Sequence, residues 1–188
     1  MALWSTHLNH EPYGPYDACF DRLPVPEPLV REESSGRVEQ LRGVLAAMAG
    51  DLAGSDGVPV FLVGDFNTPS HLDWTDNTGS LHCGYGAVPW PVTQAAEAAG
   101  LHGSYRTAHP DPLCEPGATW SPIHEAHEDG SGRPEPQDRI DYVLYAGRGL
   151  RVADSRAYTS GSVRQWPEVA DSDWPSDHAA VVTTVTLD

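Results

Sequence analysis

Four short stretches of this sequence place acidic, amide or imidazole side chains where an apolar run begins or ends. The clearest is VFLVGDFN, in which an apolar run and Gly64 lead to Asp65 and Asn67. Side chains two residues apart on a strand share a face, so we expect Asp65 and Asn67 to line a polar cleft while Phe66 points into the core. There they could bind a metal, orient a water or hold a phosphate oxygen. The alternative is an ordinary turn, because Gly, Asp, Asn, Thr and Pro all favour turns.

A second acid interrupts the apolar alternation of RIDYVLY. Asp141 needs a partner there, because an unpaired buried charge is costly. Arg139 lies two residues away on the same predicted face and could form a structural ion pair with it. The alternative partner is a catalytic histidine, whose ring a carboxylate can orient and whose protonated form it stabilises.

Two further stretches carry histidines at predicted strand ends. WPSDHAAVV places Asp177 and His178 before an apolar run, where both could serve one site only if the chain turns. WSTHL places the polar His7 near the end of a predicted strand, where it could equally be a hydrogen-bonded histidine at a sheet edge. Each stretch alone is a weak signal, because short motifs match by chance.

Strands and one clear helix must position these groups. We predict strands over 2–8, 59–66, 139–145, 150–158 and 179–187. A helix is predicted from Gly36 or Arg37 to about Leu52, with Ser34 or Ser35 as its cap, because its apolar residues recur at helical spacing. A shorter helix is predicted over 93–100, capped by Thr93, whereas 9–32 and 104–138 are predicted to be loops. This pattern indicates an α/β or α+β layered sheet.

The charge composition indicates which classes of ligand this protein can bind. Eleven basic and 27 acidic residues give a formal net charge of −16, whereas a nucleic-acid surface is normally basic. We therefore expect a small or membrane-surface ligand and consider duplex DNA an unlikely one. The three cysteines, Cys19, Cys83 and Cys114, contain no CxxC pair, so we predict neither a disulfide framework nor a structural zinc site. We find no signal peptide and no transmembrane segment, which predicts a soluble chain of unknown localisation.

Taken together and in this order, the motifs resemble those of the endonuclease/exonuclease/phosphatase superfamily, which includes deoxyribonuclease I. The matching stretches are STHL (5–8), VFLVGDFNTP (60–69), ATW (118–120), RIDYVLY (139–145) and SDHAAVV (176–182). The resemblance implies an α/β fold in which a two-sheet sandwich is flanked by helices. It also implies one phosphoesterase site, dependent on Mg²⁺ or Mn²⁺, where the strand ends converge.

The resemblance assigns a role to each polar group. It implies that Asp65 orients and deprotonates the attacking water, and that Asn67 holds that water and a phosphate oxygen. His178 would stabilise charge on the scissile phosphate, with Asp141 as its carboxylate partner. The same comparison implies that Asp177 is a metal ligand and His7 a second phosphate-contacting histidine.

One part of the family pattern lies outside this sequence. Family members begin with strands that end in an asparagine and in a glutamine-glutamate pair, whose glutamate is a principal magnesium ligand, before the THL strand. Here THL begins at residue 6, and residues 1–188 match the C-terminal portion of the family domain. We therefore expect a homodimer or a complementing N-terminal chain to supply the missing carboxylate and cover an open sheet edge.

Two other hypotheses stay open. His124 and His127 of HEAH, with Glu125 and Glu128, could bind zinc if that loop were helical. The second hypothesis is a module that binds a phosphoester without cleaving it, because the upstream asparagine and glutamate are absent. The identity of the substrate would depend on loop residues, and the aromatic candidates for lining its site are Trp74, Tyr85, Trp90 and Trp120.

Overall fold

The strands form two sheets in this computed structural model, which describes residues 1–187. The larger sheet has the order β1-β2-β4-β3 and contains β1 (Ala2–His7), β2 (Val60–Asp65), β3 (His102–Gly103) and β4 (Asp141–Ala146). β1 and β2 are parallel, whereas β4 is antiparallel to both β2 and β3. The smaller sheet pairs β5 (Leu150–Tyr158) with β6 (Ala180–Leu187) in antiparallel orientation. Two sheets and flanking helices confirm the predicted α/β sandwich.

Six α-helices and one 3-10 helix are found among the described residues 1–187. Their bounds are α1 (Gly14–Cys19), α2 (Glu27–Ser34), α3 (Arg37–Ala47), α4 (Ala49–Ala53), α5 (Pro91–Ala98), α6 (Ser104–Ala108) and the 3-10 helix (Glu168–Asp171). In that part of the chain, no helix combines the length and apolarity needed to cross a bilayer.

The main core lies between the larger sheet and two of these helices. Alternate residues of β4 are buried, as the two-residue period of a strand requires. Leu41 and Met48 of the α3 segment are fully buried against Leu62 of β2 and Val92 of α5. Burying one such side chain stabilises the fold by about 1.5–3 kcal/mol. The apolar spacing read from the sequence is therefore what docks α3 on the sheet.

Several predicted boundaries were wrong. The segment 9–32 was predicted to be a loop but contains α1 and most of α2, both short and both started by prolines, whose fixed φ suits a helix start. The helix predicted to reach Leu52 divides at Met48 into α3 and α4, and its N-cap is Gly36. The helix predicted over 93–100 is α5, which begins at Pro91, and α6 lies within the predicted loop 104–138.

The prediction for the cysteines was also wrong. Cys19, the last residue of α1, forms a disulfide with Cys83, 64 residues further along the chain. Cys114 is free and exposed. The bond ties α1 to the loop before α5, and α1 carries part of the wall of the cavity described below. Spacing in the sequence gave no sign of this pairing, because only the fold brings the two segments together.

Candidate active site

Three strands present one polar residue each at the same level of the larger sheet. In the strand register His7 of β1 lies beside Asp65 of β2, and Asp65 lies beside Asp141 of β4. Gly64 allows β1 to approach β2 here, because a Cβ at that position would lie 1.8 Å from the carbonyl oxygen of Thr6. Its φ of +135° is also one that residues with side chains rarely adopt. The GD dipeptide thus places the carboxylate at the very end of the strand.

Asn67 holds the carboxylate of Asp65 in place. Its backbone N–H donates to Asp65 Oδ1 at 2.7 Å, and its side-chain Nδ2 donates to Asp65 Oδ2 at 2.9 Å. Nδ2 also donates to the carbonyl oxygen of Leu8 at 3.0 Å. The two side chains meet because Asn67 turns the chain with a φ of +51°, and not through the strand alternation we predicted, since β2 ends at Asp65. With both amide hydrogens used, Asn67 has its Oδ1 acceptor left to offer a ligand.

His178 faces both carboxylates of the sheet. Its Nδ1 lies 2.8 Å from Asp141 Oδ2, and its Nε2 lies 3.9 Å from Asp65 Oδ2. An ionised carboxylate only accepts hydrogen bonds, so this contact assigns a hydrogen to Nδ1. Of the two partners considered for Asp141, the structure thus selects the histidine.

The pKa values of Asp65 and His178 in this cluster are both raised. Burial and the nearby charge of Asp141 raise the pKa of Asp65, although the hydrogen bond from Asn67 lowers it. Burial lowers the pKa of His178, but the hydrogen bond and charge of Asp141, followed by the charge of Asp65, outweigh it and leave that pKa raised. A carboxylate with a raised pKa beside an imidazole with a raised pKa is an arrangement suited to acid-base chemistry.

The strand-end residues open into one cavity of about 1290 Å³. Asp177 lines it and is exposed, and its backbone carbonyl accepts a hydrogen bond from Ser121. His7 also lines the cavity, with Nε2 3.4 Å from Asp65 Oδ2. All six predicted site residues therefore border the same space. The rest of the wall comes from the 9–31 segment and from the loop before β4, and comprises Asn9, His10, Glu11, Pro12, Tyr13, Tyr16, Asp17, Arg31, Trp120 and Ile140.

The aromatic predictions were correct for one residue of four. Trp120 lines the cavity, and its ring lies edge-on to His178 with 5.0 Å between centroids. Trp74, Tyr85 and Trp90 instead pack in or against a second apolar cluster behind α1. They could not be separated from Trp120 by residue type, because large aromatic rings serve buried cores and ligand sites equally well.

A buried carboxylate that the sequence gave no reason to select supports this wall. Glu135 accepts hydrogen bonds from Tyr16 Oη at 2.7 Å and from Trp120 Nε1 at 2.8 Å, both through Oε1. Its Oε2 lies 2.7 Å from His127 Nδ1. Glu135 therefore joins two cavity-lining rings, one of which packs on His178. Glu135 lies in a proline-rich loop, so no strand or helix pattern in the sequence pointed to this role.

The zinc hypothesis for HEAH is not supported by the structure. His127 is paired with Glu135, whereas His124 Nε2 lies 3.1 Å from Glu128 on the other side of the loop. Among the described residues, the one group of His, Cys, Asp and Glu side chains arranged as in a metal site consists of Asp65, Asp141 and His178, whose ligand atoms lie within 4.8 Å of one another. Asp177 is outside that group.

The alternative partner of Asp141 is used elsewhere. Arg139 is buried, and its Nη2 lies 2.8 Å from Asp73 Oδ2. Arg106 donates from Nε to the same carboxylate at 2.6 Å. Arg139 precedes β4, so the strand alternation that would have placed it beside Asp141 does not apply to it.

The acidic group fits a hard divalent cation in its chemistry. Carboxylate oxygens are the ligands that Mg²⁺ and Mn²⁺ prefer, and Mg²⁺ is usually held by one or two of them. The charge of Asp141 already raises the pKa of Asp65, so the two carboxylates repel each other. A cation between them would relieve that repulsion.

Comparison with solved structures supports the fold. A conserved protein of unknown function from Enterococcus faecalis V583 superposes with a TM-score of 0.56 at 17% identity, covering 99% of this chain and 50% of that chain. The 3'-5' exonuclease NExo from Neisseria meningitidis gives a TM-score of 0.53 at 20% identity, covering 99% of this chain and 60% of that chain. At such identities the likeness is one of fold.

Comparison of sequences identifies the family. The Caenorhabditis elegans protein F14F9.5, which is uncharacterized, is 33% identical over 187 residues, which cover 98% of this chain. The chain spans 59% of the length of that relative. The family model described as Endonuclease/Exonuclease/phosphatase family matches residues 11–178, which include every strand-end motif except His7. The chain therefore belongs to the endonuclease/exonuclease/phosphatase family.

Proposed function

We propose that this protein is a metal-dependent phosphoric ester hydrolase that cleaves a small-molecule or lipid phosphoester by direct attack of water. The observation that carries the proposal is the convergence of Asp65, Asn67, Asp141 and His178 in one cavity. Family membership supports a phosphoesterase-type hydrolase more generally. The net charge of −16 favours a small substrate over duplex DNA, because it repels a polyanion.

Each residue has a role that its contacts allow. Asp65 accepts a proton from the attacking water as the water oxygen bonds to phosphorus, and its raised pKa suits a general base. The ester P–O bond breaks, and the leaving alkoxide takes a proton from solvent to depart as the alcohol. Asn67 fixes Asp65 and offers Oδ1 to that water. A direct donor contact from Asn67 to a phosphate oxygen, which the resemblance implied, is less suited to this arrangement, since both its amide hydrogens are used.

The histidines act on the phosphate. His178 donates from Nε2 to a phosphate oxygen and stabilises the charge that develops there, while Asp141 holds the ring by Nδ1. His7, exposed at the end of β1, makes a second phosphate contact.

The exposed Asp177 would hold Mg²⁺ or Mn²⁺ through a carboxylate oxygen, with Asp65 left free to act as the base. A bound divalent cation would supply electrostatic stabilisation of charge on the phosphate.

The test is phosphate and nitrophenol release from p-nitrophenyl phosphate and bis(p-nitrophenyl) phosphate in Mg²⁺, Mn²⁺ or EDTA. Loss of the base in Asp65→Asn is expected to lower kcat by about 100-fold or more, and His178→Gln should act similarly. Asp56→Asn is the control, because Asp56 is exposed and pairs with Arg148. Activity that survives EDTA, or an Asp65→Asn variant as active as the control, would contradict the proposal.

Failure to cleave any ester, with retained phosphate binding, would favour the second candidate function. That candidate is a non-hydrolytic phosphoester-binding module. The position of Asp65 argues against a non-hydrolytic module. A carboxylate that faces the phosphate site weakens the binding of an anion unless that carboxylate orients a water or binds a metal.

We also propose that a second copy or a complementing chain covers the free edge of the larger sheet and adds a carboxylate to the metal site. β1 is one of the two edge strands, and its Leu3 is 61% exposed. An uncovered edge strand presents unpaired backbone groups. Light scattering on the purified protein tests this, since a monomer with full metal-dependent activity would refute it.

A further inference from the structure

The cavity is much larger than the phosphate site requires. Its volume of about 1290 Å³ exceeds the roughly 300–1,000 Å³ typical of small-molecule sites. It extends from the Asp65–Asp141–His178 cluster to α1 and α2, where Asp17 and Arg31 form part of its wall. The part of the substrate away from the scissile phosphate would therefore contact groups on these two helices.

Arg31 is the single arginine among the described residues that line this cavity, and the chain contains no lysine. The other ionisable lining residues are carboxylic acids, histidines and tyrosines, of which the acids are Glu11, Asp17, Asp65, Asp141 and Asp177. In a chain with a net charge of −16, a guanidinium facing a ligand cavity is therefore exceptional. The acids that surround the cavity make the presence of an arginine in its wall more notable still.

The way Arg31 pairs with Asp17 differs from a structural ion pair elsewhere in this chain. Arg37 is fully buried and uses both Nε and Nη2 against the two carboxylate oxygens of Glu32. Arg31 approaches Asp17 through Nε alone, at 3.4 Å, and its side chain is 52% exposed. Within residues 1–187, neither of its terminal nitrogens has a hydrogen-bond partner. The planar fork that suits a phosphate or carboxylate is thus unoccupied by protein groups.

Asp17 is the carboxylate that pairs with Nε of that guanidinium. It is buried, and its Oδ2 has no hydrogen-bond partner within the described part of the chain. Asp17 lies on α1, which the Cys19–Cys83 disulfide ties to the loop before α5. Arg31 therefore lies beside a carboxylate on a helix that a disulfide ties down, while its terminal nitrogens have no hydrogen-bond partner among residues 1–187.

We propose that Arg31 determines substrate specificity by binding a second anionic group, a phosphate or a carboxylate, on a phosphoester whose scissile phosphate lies at Asp65 and His178. The inference rests on the proposed function, because it takes the strand-end residues as the site of the scissile phosphate. It narrows the substrate to a small phosphoester with two separated anionic groups. A substrate with a neutral organic part would leave the terminal nitrogens of Arg31 without an anionic partner.

The test uses ligands that cannot be hydrolysed, so that binding is measured apart from catalysis. Alkanediphosphonates with two to six carbons are compared with alkylphosphonates of equal length by titration calorimetry in Mg²⁺. The series covers the unknown span between the two anionic groups. The variants are Arg31→Gln, Arg31→Lys and the control Arg148→Gln, since Arg148 is 82% exposed, pairs with Asp56 and is not part of the cavity wall.

We expect at least one diphosphonate to bind the wild type about tenfold or more tightly than its matched alkylphosphonate, the scale of one hydrogen bond between charged groups. Arg31→Gln should abolish that preference without changing the Kd of the alkylphosphonate, Arg31→Lys should keep part of it, and Arg148→Gln should keep all of it. Absence of any preference in the wild type, or its persistence in Arg31→Gln, would overturn the inference.

The two proposals fail separately. Hydrolysis of simple esters without any preference for diphosphonates would refute the role of Arg31 and leave the proposed function intact. A preference that depends on Arg31 in a protein that cleaves no ester would retain the anion site and refute hydrolysis.

Discussion

Replacing Asp138 with asparagine should remove a large pH dependence of stability. Asp138 is 2% exposed and lies beneath the cavity wall. Its Oδ1 accepts from Trp74 Nε1 at 2.8 Å, and its Oδ2 accepts from the hydroxyl of Tyr13, which lines the cavity, at 3.1 Å. Burial raises the pKa of Asp138 from 3.8 to about 7, although both hydrogen bonds lower it. Asparagine has nearly the same shape but cannot ionise.

The sign follows from proton binding. Between pH 4 and pH 7 the folded protein keeps a proton on Asp138 that the unfolded chain has lost, so folding becomes less favourable as the pH rises through this window. The slope is about 1.4 kcal/mol per pH unit and falls to half of that at pH 7, so the interval from pH 5 to pH 7 gives about 2 kcal/mol. Burial lowers the pKa of the neighbouring His82 to about 4, which acts in the opposite direction. His82 Nδ1 lies 3.6 Å from Asp138 Oδ1, so the difference between the two proteins reports Asp138 together with its effect on His82.

The assay is urea unfolding of wild type and Asp138→Asn at pH 5, 6, 7 and 8, followed by tryptophan fluorescence. Relative to the variant, the wild type should lose about 2 kcal/mol of unfolding free energy between pH 5 and pH 7, and much less above pH 7. The exposed Asp56→Asn serves as control and should differ from wild type by a constant amount. An equally constant difference for Asp138→Asn would refute the reasoning that burial governs this carboxyl.

Three further changes test other parts of the structure. Replacing Cys19 and Cys83 with serine should lower the free energy of unfolding by about 4 kcal/mol, because the disulfide closes a loop of 64 residues, and unfolding that is unchanged from wild type would contradict this. Glu135→Ala should lower the free energy of unfolding by more than about 2 kcal/mol, because three donors lose their acceptor, and it should also lower kcat. Glu135→Gln should have smaller effects in both assays. Arg37→Met should lower the free energy of unfolding by about 3–5 kcal/mol, because it leaves a buried carboxylate unpaired. Adding Glu32→Leu should restore most of that free energy, and no recovery would count against this explanation.

The sequence by itself determined the elements whose signal is periodic and local. The apolar spacing of α3 and the alternation of β4 follow from which side chains share a face, and that geometry is set within one or two turns or a few residues. The same reasoning predicted that Asp65 and Asp141 face a cleft, because an acid at the end of a buried strand needs a polar environment, whereas Asn67 reaches the cleft through a turn with a φ of +51°. The two-sheet sandwich was implied by the resemblance of these motifs, in their order, to the endonuclease/exonuclease/phosphatase superfamily.

Tertiary structure alone decided the partners. Asp141 had two candidate partners in the sequence, and only the packing of β6 against β4 brought His178 to within 2.8 Å while Arg139 turned to Asp73. The disulfide between Cys19 and Cys83 and the burial of Glu135 were likewise invisible, because each depends on segments far apart in the chain. Local periodicity fixes which way a side chain points, whereas its partner and its degree of burial depend on how distant segments pack, and these set its pKa and its chemistry.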